Sequence, residues 1–324
     1  MRLAPWLDAP WRRLAAALAA ARVHHGLLLA APAGHGKRAL ADAFAAAALC
    51  TRRDADGFAC GACRSCTLVA AGTHPDLVRV ALEPRDDGKL RVEITIEQIR
   101  ALSQRLALAS QFGGLQIASI DPADRLNASA ANALLKTLEE PSSATIIVLV
   151  ADDAARLPAT IRSRCQRVEI PAPTRAQAAA WLRACGLDTP SADAALAASL
   201  GNPGLALAWS GDGTLALREE CADDLAALAR RRRTPAEVAE RWAADRADTR
   251  LWFAAALARD EARRLARGEP PAFGLTVRGE IPKLAAWFGR ANQARGLLAT
   301  PLRAELILVD LLRAWPAGAD SQRA

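Results

Sequence analysis

The sequence predicts an α/β core on a parallel sheet, followed by an all-helical remainder. Three observations predict it. An apolar run, Gly26 to Ala30, meets a glycine turn, Ala31-Pro32-Ala33-Gly34-His35-Gly36-Lys37-Arg38, and then an Ala-rich stretch, Ala39 to Leu49, without Gly or Pro. That order is strand, phosphate-loop-type turn and helix. Apolar strand-like runs and helical patterns keep alternating as far as residue 170, as expected of a parallel sheet covered on both faces. Residues 212–324 carry only helical periodicity.

In chain order, residues 1–25 read as a helix ending at His24-His25, with Trp11, Leu14, Leu18 and Ala21 on one face. The two imidazoles are expected to satisfy that helix's C-terminus. After the glycine turn, Thr73-His74-Pro75 leads into a second strand, Leu77 to Val80. Residues 83–91, charged and containing Pro84 and Gly88, read as a surface loop. Thr95 opens a helix with Gln98 placed for a capping box, and Ile96, Ile99, Leu102, Leu106 and Ala109 form its stripe. Gly113-Gly114 breaks the chain. Gln116 to Asp121 is a third strand, Ala128 to Glu140 a helix stopped by Pro141, and Thr145 to Val150 a fourth strand. Val168 to Ile170 is a short fifth. Pro171-Ala172-Pro173 is a linker. Residues 174–211 form a small helical unit broken at Gly201-Asn202-Pro203-Gly204. Leu302, Leu306, Val309, Leu312 and Trp315 mark the last apolar stripe.

With 324 residues, two or three domains are expected. No stretch of about 18 residues is wholly apolar, and the N-terminus lacks a signal-type apolar region, so a cytoplasmic protein with no membrane partner is expected. The net charge of +7 comes almost entirely from Arg in an Ala-rich chain, which points to G+C-rich codon usage. The run Arg230 to Arg233 suits a helix C-terminus, because Thr234-Pro235-Ala236-Glu237 opens the next helix with a capping box.

Four of the seven cysteines cluster as Cys50, Cys60, Cys63 and Cys66, with Gly61 inside the knuckle. Two overlapping C-x2-C steps let one short loop aim several thiolates at a tetrahedral ion, so a structural Zn²⁺ is expected, with no open position for catalysis. His74 is a nearby alternative ligand. Cys165, Cys185 and Cys221 read as small apolar residues.

The phosphate loop is incomplete. Gly34, Gly36 and Lys37 suit a nucleotide phosphate, but Ala31 replaces the first glycine and Arg38 replaces the hydroxyl residue that would hold Mg²⁺. Asp121 ends a buried strand where a Mg²⁺-ordering acid belongs, yet Pro122 follows it where a water-activating Glu would stand.

Several stretches resemble the clamp-loader AAA+ family: His24-His25-Gly26-Leu27-Leu28-Leu29, the four cysteines, Ala71 to Asp76, Ala131 to Pro141, Ser163-Arg164-Cys165, and more weakly Gly201 to Gly204 and Arg303 to Leu312. The resemblance implies an AAA+ core at 1–170 with a zinc module at 50–66, a helical lid at 171–211 and an oligomerising collar at 212–324. It implies defects at four positions of an active ATPase, which here hold Arg38, Pro122, Asp152 and Gly204. ATP or ADP binding at Gly34, Gly36, Lys37 and Asp121 is then weak or absent, and no independent ATPase is expected. The expected role is a stator that works with gamma/tau and delta subunits of a polymerase holoenzyme. Through the assembled complex it would meet the sliding clamp and primer-template DNA. Arg164 would serve in trans as an arginine finger for a gamma/tau ATP site, its alternative being a structural pair with a carboxylate such as Glu169. Two rival readings stand beside this one. One is an active clamp-loader ATPase. The other is a zinc-dependent DNA-binding protein with Arg52, Arg53, Arg64 and Phe58 around the knuckle.

Overall fold

The computed structural model describes residues 3–85, 88, 90–141, 144–273, 280–298, 300 and 302–316. Residues 86, 87 and 89 of the expected 83–91 loop lie outside the described residues. So do residues 1 and 2 of the first expected helix and residues 274–279, 299, 301 and 317–324 of the helical remainder.

The described chain divides into two compact units, residues 1–184 with 202–204, and residues 185–201 with 205–324. The first is the α/β core. Its five parallel strands are β1 (Gly26–Ala30), β2 (Leu77–Val80), β3 (Gln116–Ile120), β4 (Thr145–Ala151) and β5 (Gln166–Glu169), in the order β2-β3-β4-β1-β5. Central strands β1, β3 and β4 are buried throughout, which is why they read as unbroken apolar runs. Alternate side chains serve opposite faces. Leu28, Ala118, Ile147 and Leu149 pack with α4 (Ile96–Leu106) and α5 (Ala128–Glu139). Leu27, Leu29, Ile117 and Val148 pack with α1 (Asp8–Ala19) and α2 (Lys37–Leu49). Short helices α3 (Arg64–Ala70) and α6 (Ala159–Arg162), and then α7 (Arg175–Ala184), complete this unit.

Two expectations change here. The first helix starts after a 3₁₀ turn at Pro5–Leu7 and ends at Ala19, not at His25. Ala21 takes a left-handed φ of 51° and Arg22 N–H bonds Ala17 O, which closes the helix early. His24 and His25 therefore cap no part of α1. His25 Nε2 instead donates to Leu138 O at 3.0 Å, near the end of α5. The capping box at Thr95 and Gln98 is present as expected, while Ala109 lies beyond the end of α4.

The second unit is helical: α8 (Thr189–Ala198), most of α9 (Pro203–Gly211), α10 (Thr214–Ala229), α11 (Pro235–Ala244), α12 (Ala247–Ala266), α13 (Ile281–Leu297) and α14 (Ala304–Arg313). The contact division runs through the 171–211 stretch, with α7 in the first unit and α8 in the second. The second core centres on Trp242, Phe253 and Trp287. Its buried Asp224 accepts from Trp242 Nε1 at 2.8 Å and pairs with Arg233 and Arg241. Arg233 thus leaves the basic run to neutralise a buried acid. The last stripe is also corrected. Leu302 and Leu306 are 58% and 66% exposed, and the buried face of α14 is Leu308, Leu311 and Leu312, continued by Trp315. No described helix is long and apolar enough to cross a membrane.

Candidate functional site

Three places in the first unit carry the residues singled out from the sequence: the phosphate-type loop, the cysteine knuckle, and the end of α5.

The loop leaves β1 and enters α2 at Lys37, with Gly34 and Gly36 at φ of 83° and 87°. Those left-handed values suit glycine, and the space around them reinforces it. A Cβ on Gly36 would lie 2.8 Å from Leu7 Cδ1, and one on Gly34 would lie 2.1 Å from Asn202 Oδ1. Asn202 Nδ2 donates to Ala33 O at 2.6 Å, Gly204 N–H to Gly34 O at 3.1 Å, and Trp6 Nε1 to His35 O at 2.9 Å. Leu7, Trp6, Asn202 and Gly204 therefore press on the loop from the chain itself.

The charged residues of the loop are also paired internally. Lys37, 1% exposed, forms an ion pair with Asp152. Arg38 Nη1 and Nη2 donate to the same carboxylate at 3.2 and 3.3 Å, and Arg38 Nε donates to Asp121 Oδ2 at 2.7 Å. Two cations face two carboxylates. Asp124 Oδ1 accepts from Asp152 N–H at 3.1 Å and fixes the strand end that presents Asp152. Burial pushes the Asp152 carboxyl up, but the bonds from Lys37 and Arg38 outweigh it and hold it below the ordinary carboxylate value. Burial draws the Lys37 ammonium below its ordinary value, and Asp152 draws it partly back. Both values fall, with opposite meaning: two cations favour the charged carboxylate of Asp152, whereas burial disfavours the charged form of Lys37 more than Asp152 restores it.

The knuckle brings all four expected cysteines together, their sulfurs all within 4.8 Å of one another. Sulfur separations of 3.9 Å for Cys50–Cys63, 4.0 Å for Cys60–Cys66 and 3.5 Å for Cys63–Cys66 approach the edge of about 3.8 Å that a tetrahedral ion with metal–sulfur bonds of about 2.3 Å requires. Cys50 Sγ accepts from the N–H groups of Arg52 at 3.4 Å and Cys60 at 3.3 Å, and lies 3.2 Å from Arg52 O. Backbone N–H groups, that of Cys66 above all and then that of Thr51, lower the Cys63 thiol to about 5, while burial pushes Cys66 up to about 12. The set can hold a metal ion. His74 does not join it: its Nδ1 accepts from Asp76 N–H at 3.1 Å, and Asp76 in turn accepts from Ser110 Oγ, Gln111 N–H and Phe112 N–H. The His74-Pro75-Asp76 stretch thus ties a loop. Phe58 stacks on Trp11 with centroids 4.1 Å apart, and Trp11 Nε1 donates to Asp56 O at 3.0 Å. That stacking docks the knuckle on α1 and takes away the aromatic face a nucleobase would need.

At the end of α5, Arg164 Nη2 lies 2.6 Å from Glu139 Oε1, and its Nη1 donates to Thr160 O at 3.0 Å. The carboxylate partner is Glu139, not Glu169. Gly26 sits in the same junction: a Cβ there would meet Leu138 Cδ2 at 3.1 Å, Arg164 O at 3.2 Å and Cys165 Sγ at 3.3 Å. The motifs around His25, Leu138 and Arg164, distant in sequence, meet at the start of β1.

Against known proteins, the family profile described as "DNA polymerase III, delta subunit" matches residues 7–174. DNA polymerase III subunit delta' of Pseudomonas aeruginosa is 39% identical over 240 residues, 74% of this chain and 70% of that one. The chain belongs to the delta-prime family of DNA polymerase III clamp-loader subunits. The delta' subunits of Escherichia coli and Haemophilus influenzae are 37% and 36% identical, over 68% and 67% of this chain and 65% and 64% of their own lengths. The chain therefore aligns with about two thirds of the length of these relatives. Within this family member, sequence reasoning missed Leu7, Asp124, Asn202 and Glu139 as parts of the sites. The available signal was the charge count, Lys37 and Arg38 against Asp121 and Asp152.

Proposed function

We propose that this delta-prime family member is the non-hydrolysing stator of its clamp loader. The observation that carries the reading is the closed set Lys37–Asp152–Arg38–Asp121 lying on a loop pressed by Leu7, Asn202 and Gly204. Lys37 is engaged by a carboxylate where an ATPase needs it for a phosphate, and Arg38 offers no oxygen to Mg²⁺. A nucleotide polyphosphate would have to displace Asp152 and bring its own charge against Asp121. Such a subunit supports loading of the sliding clamp onto primer-template DNA in the cytoplasm by holding shape beside gamma/tau and delta partners. Residues 1–170 serve as the AAA+ core, 171–211 as the lid and 212–324 as the oligomerising collar. Arg164 reaches the ATP site of a neighbouring gamma/tau subunit as an arginine finger. The cysteine knuckle, whose sulfur spacing suits Zn²⁺, would be held together by that ion without any reaction at it.

The test is steady-state ATPase and nucleotide binding by the purified full-length chain. Neither should rise above background, and Arg38→Thr should not restore turnover, because Pro122 still stands in the place of the water-activating Glu. Robust turnover by the wild-type chain would overturn the stator reading.

A further inference from the structure

We infer that Glu139 is the positioning residue of Arg164, presetting its guanidinium from the end of α5; this rests on the proposal that Arg164 acts in trans on a neighbour's ATP. Arginine is a long side chain, and a guanidinium that must first be ordered stabilises a transition state less than one already in place. Here two ties order it: Nη2 to Glu139 Oε1 at 2.6 Å and Nη1 to Thr160 O at 3.0 Å. A guanidinium carries five N–H donors. Two are engaged on one side, which leaves three to meet phosphoryl oxygens. The Arg164 side chain is 38% exposed, so it remains reachable from outside the chain.

Glu139 is itself fixed. It is the last residue of α5, where the helix dipole disfavours a carboxylate unless a cation answers it. Arg164 is that cation. The preceding Leu138 is 1% exposed and its carbonyl receives His25 Nε2 at 3.0 Å. Gly26, lacking a Cβ, lets β1 close on Leu138, Arg164 O and Cys165 Sγ. The guanidinium is thus referenced to the central strand through Glu139 and α5.

In the neighbour's reaction, water oxygen bonds to the γ-phosphorus and gives up a proton to a base of the neighbour's own site or to solvent, while the β–γ bridging oxygen leaves with the bonding pair on ADP. Arg164 contributes charge to that step and transfers no atom. Glu139 touches none of the reacting groups.

The experiment uses the reconstituted loader, with native mass confirming assembly and only the ATP site facing Arg164 left competent. Arg164→Ala, Glu139→Ala, Glu139→Asp and the double variant Glu139→Ala/Arg164→Ala are compared in DNA- and clamp-stimulated ATPase. Glu139→Ala should lower kcat about two- to fivefold, the size an exposed ion pair supports, with KM for ATP little changed. Glu139→Asp should recover part of the loss. The double variant should be no slower than Arg164→Ala, because a residue acting only through Arg164 has nothing left to position. Should Glu139→Ala fail to assemble, Glu139→Gln, which keeps shape and loses charge, takes its place in the same comparison. If Arg164→Ala is slow but Glu139→Ala turns over at the wild-type rate or faster, the positioning role is wrong and the finger reading survives. Equal additional loss from the Glu139 change in both backgrounds also overturns it. If Arg164→Ala itself is unimpaired, the finger reading fails, and this inference with it.

Discussion

Asp152→Asn should destabilise the first unit measurably at neutral pH. The substitution keeps the shape of the side chain and removes its charge, so the Lys37 ammonium, 1% exposed, is left against a neutral amide. At about 3 Å and an effective dielectric near 20, one such contact is worth roughly 5 kcal/mol before desolvation. The variant no longer has to desolvate the Asp152 carboxylate, and solvent screens a side chain that is 38% exposed, which together offset about half of that. The Arg38 arm, 43% exposed, adds about 1 kcal/mol at most. A net loss of about 1.5–3 kcal/mol follows, a drop of roughly 3–10 °C in Tm for a unit of this size. The pH dependence has a definite sign. Asp152 is held below its ordinary value, so its contribution is complete above the unfolded carboxyl value of about 3.9 and disappears as pH falls through the lower folded value. The assay is calorimetric unfolding of the full chain, wild type and Asp152→Asn, at pH 7, 5 and 3. The gap should be the same at pH 7 and 5 and narrow at pH 3. Equal transitions at pH 7, or a gap unchanged at pH 3, would refute the claim that Asp152 acts as the counter-charge.

Two further outcomes are expected. Chain purified under reducing conditions should contain one zinc, and Co²⁺ in its place should give the charge-transfer and d–d bands of a tetrahedral thiolate site; Cys60→Ser should weaken both metal retention and protease resistance around residues 50–66, and metal-free protein would sink the assignment. Gly26→Ala should cost about 1–3 kcal/mol in urea unfolding, because its Cβ would stand 3.1–3.3 Å from three neighbours in a packed junction; an unchanged midpoint would show that the junction gives way freely.

The core was readable because burial on both faces leaves β1, β3 and β4 as unbroken apolar runs, and because the boxes at Thr95 and Thr234 are local signals. The end of α1 was not. Its Ala-rich sequence carries no stop residue, and the left-handed turn falls on Ala21. At the last stripe, Leu302, which precedes α14, and Leu306 within it share a helical period with buried residues, yet packing selects Leu308, Leu311 and Leu312. The four cysteines were legible from spacing alone, since one short loop supplies them all. The partners of Lys37 and Arg164 were not, for they come from Asp152 and Glu139 across 115 and 25 positions, and no periodicity encodes such a meeting.

The bond from Gly204 N–H to Gly34 O contains no side chain. The chain is in effect its own tethered ligand for the loop, present at a local concentration set by its connectivity and not by anything dissolved around it. The tether fills a carbonyl acceptor that a triphosphate, itself lacking donors, would not use, and so fixes the shape of the loop without taking up its N–H groups. Under the stator reading proposed above, the geometry of this unit should stay the same whether a cell is rich in ATP or has spent it to ADP.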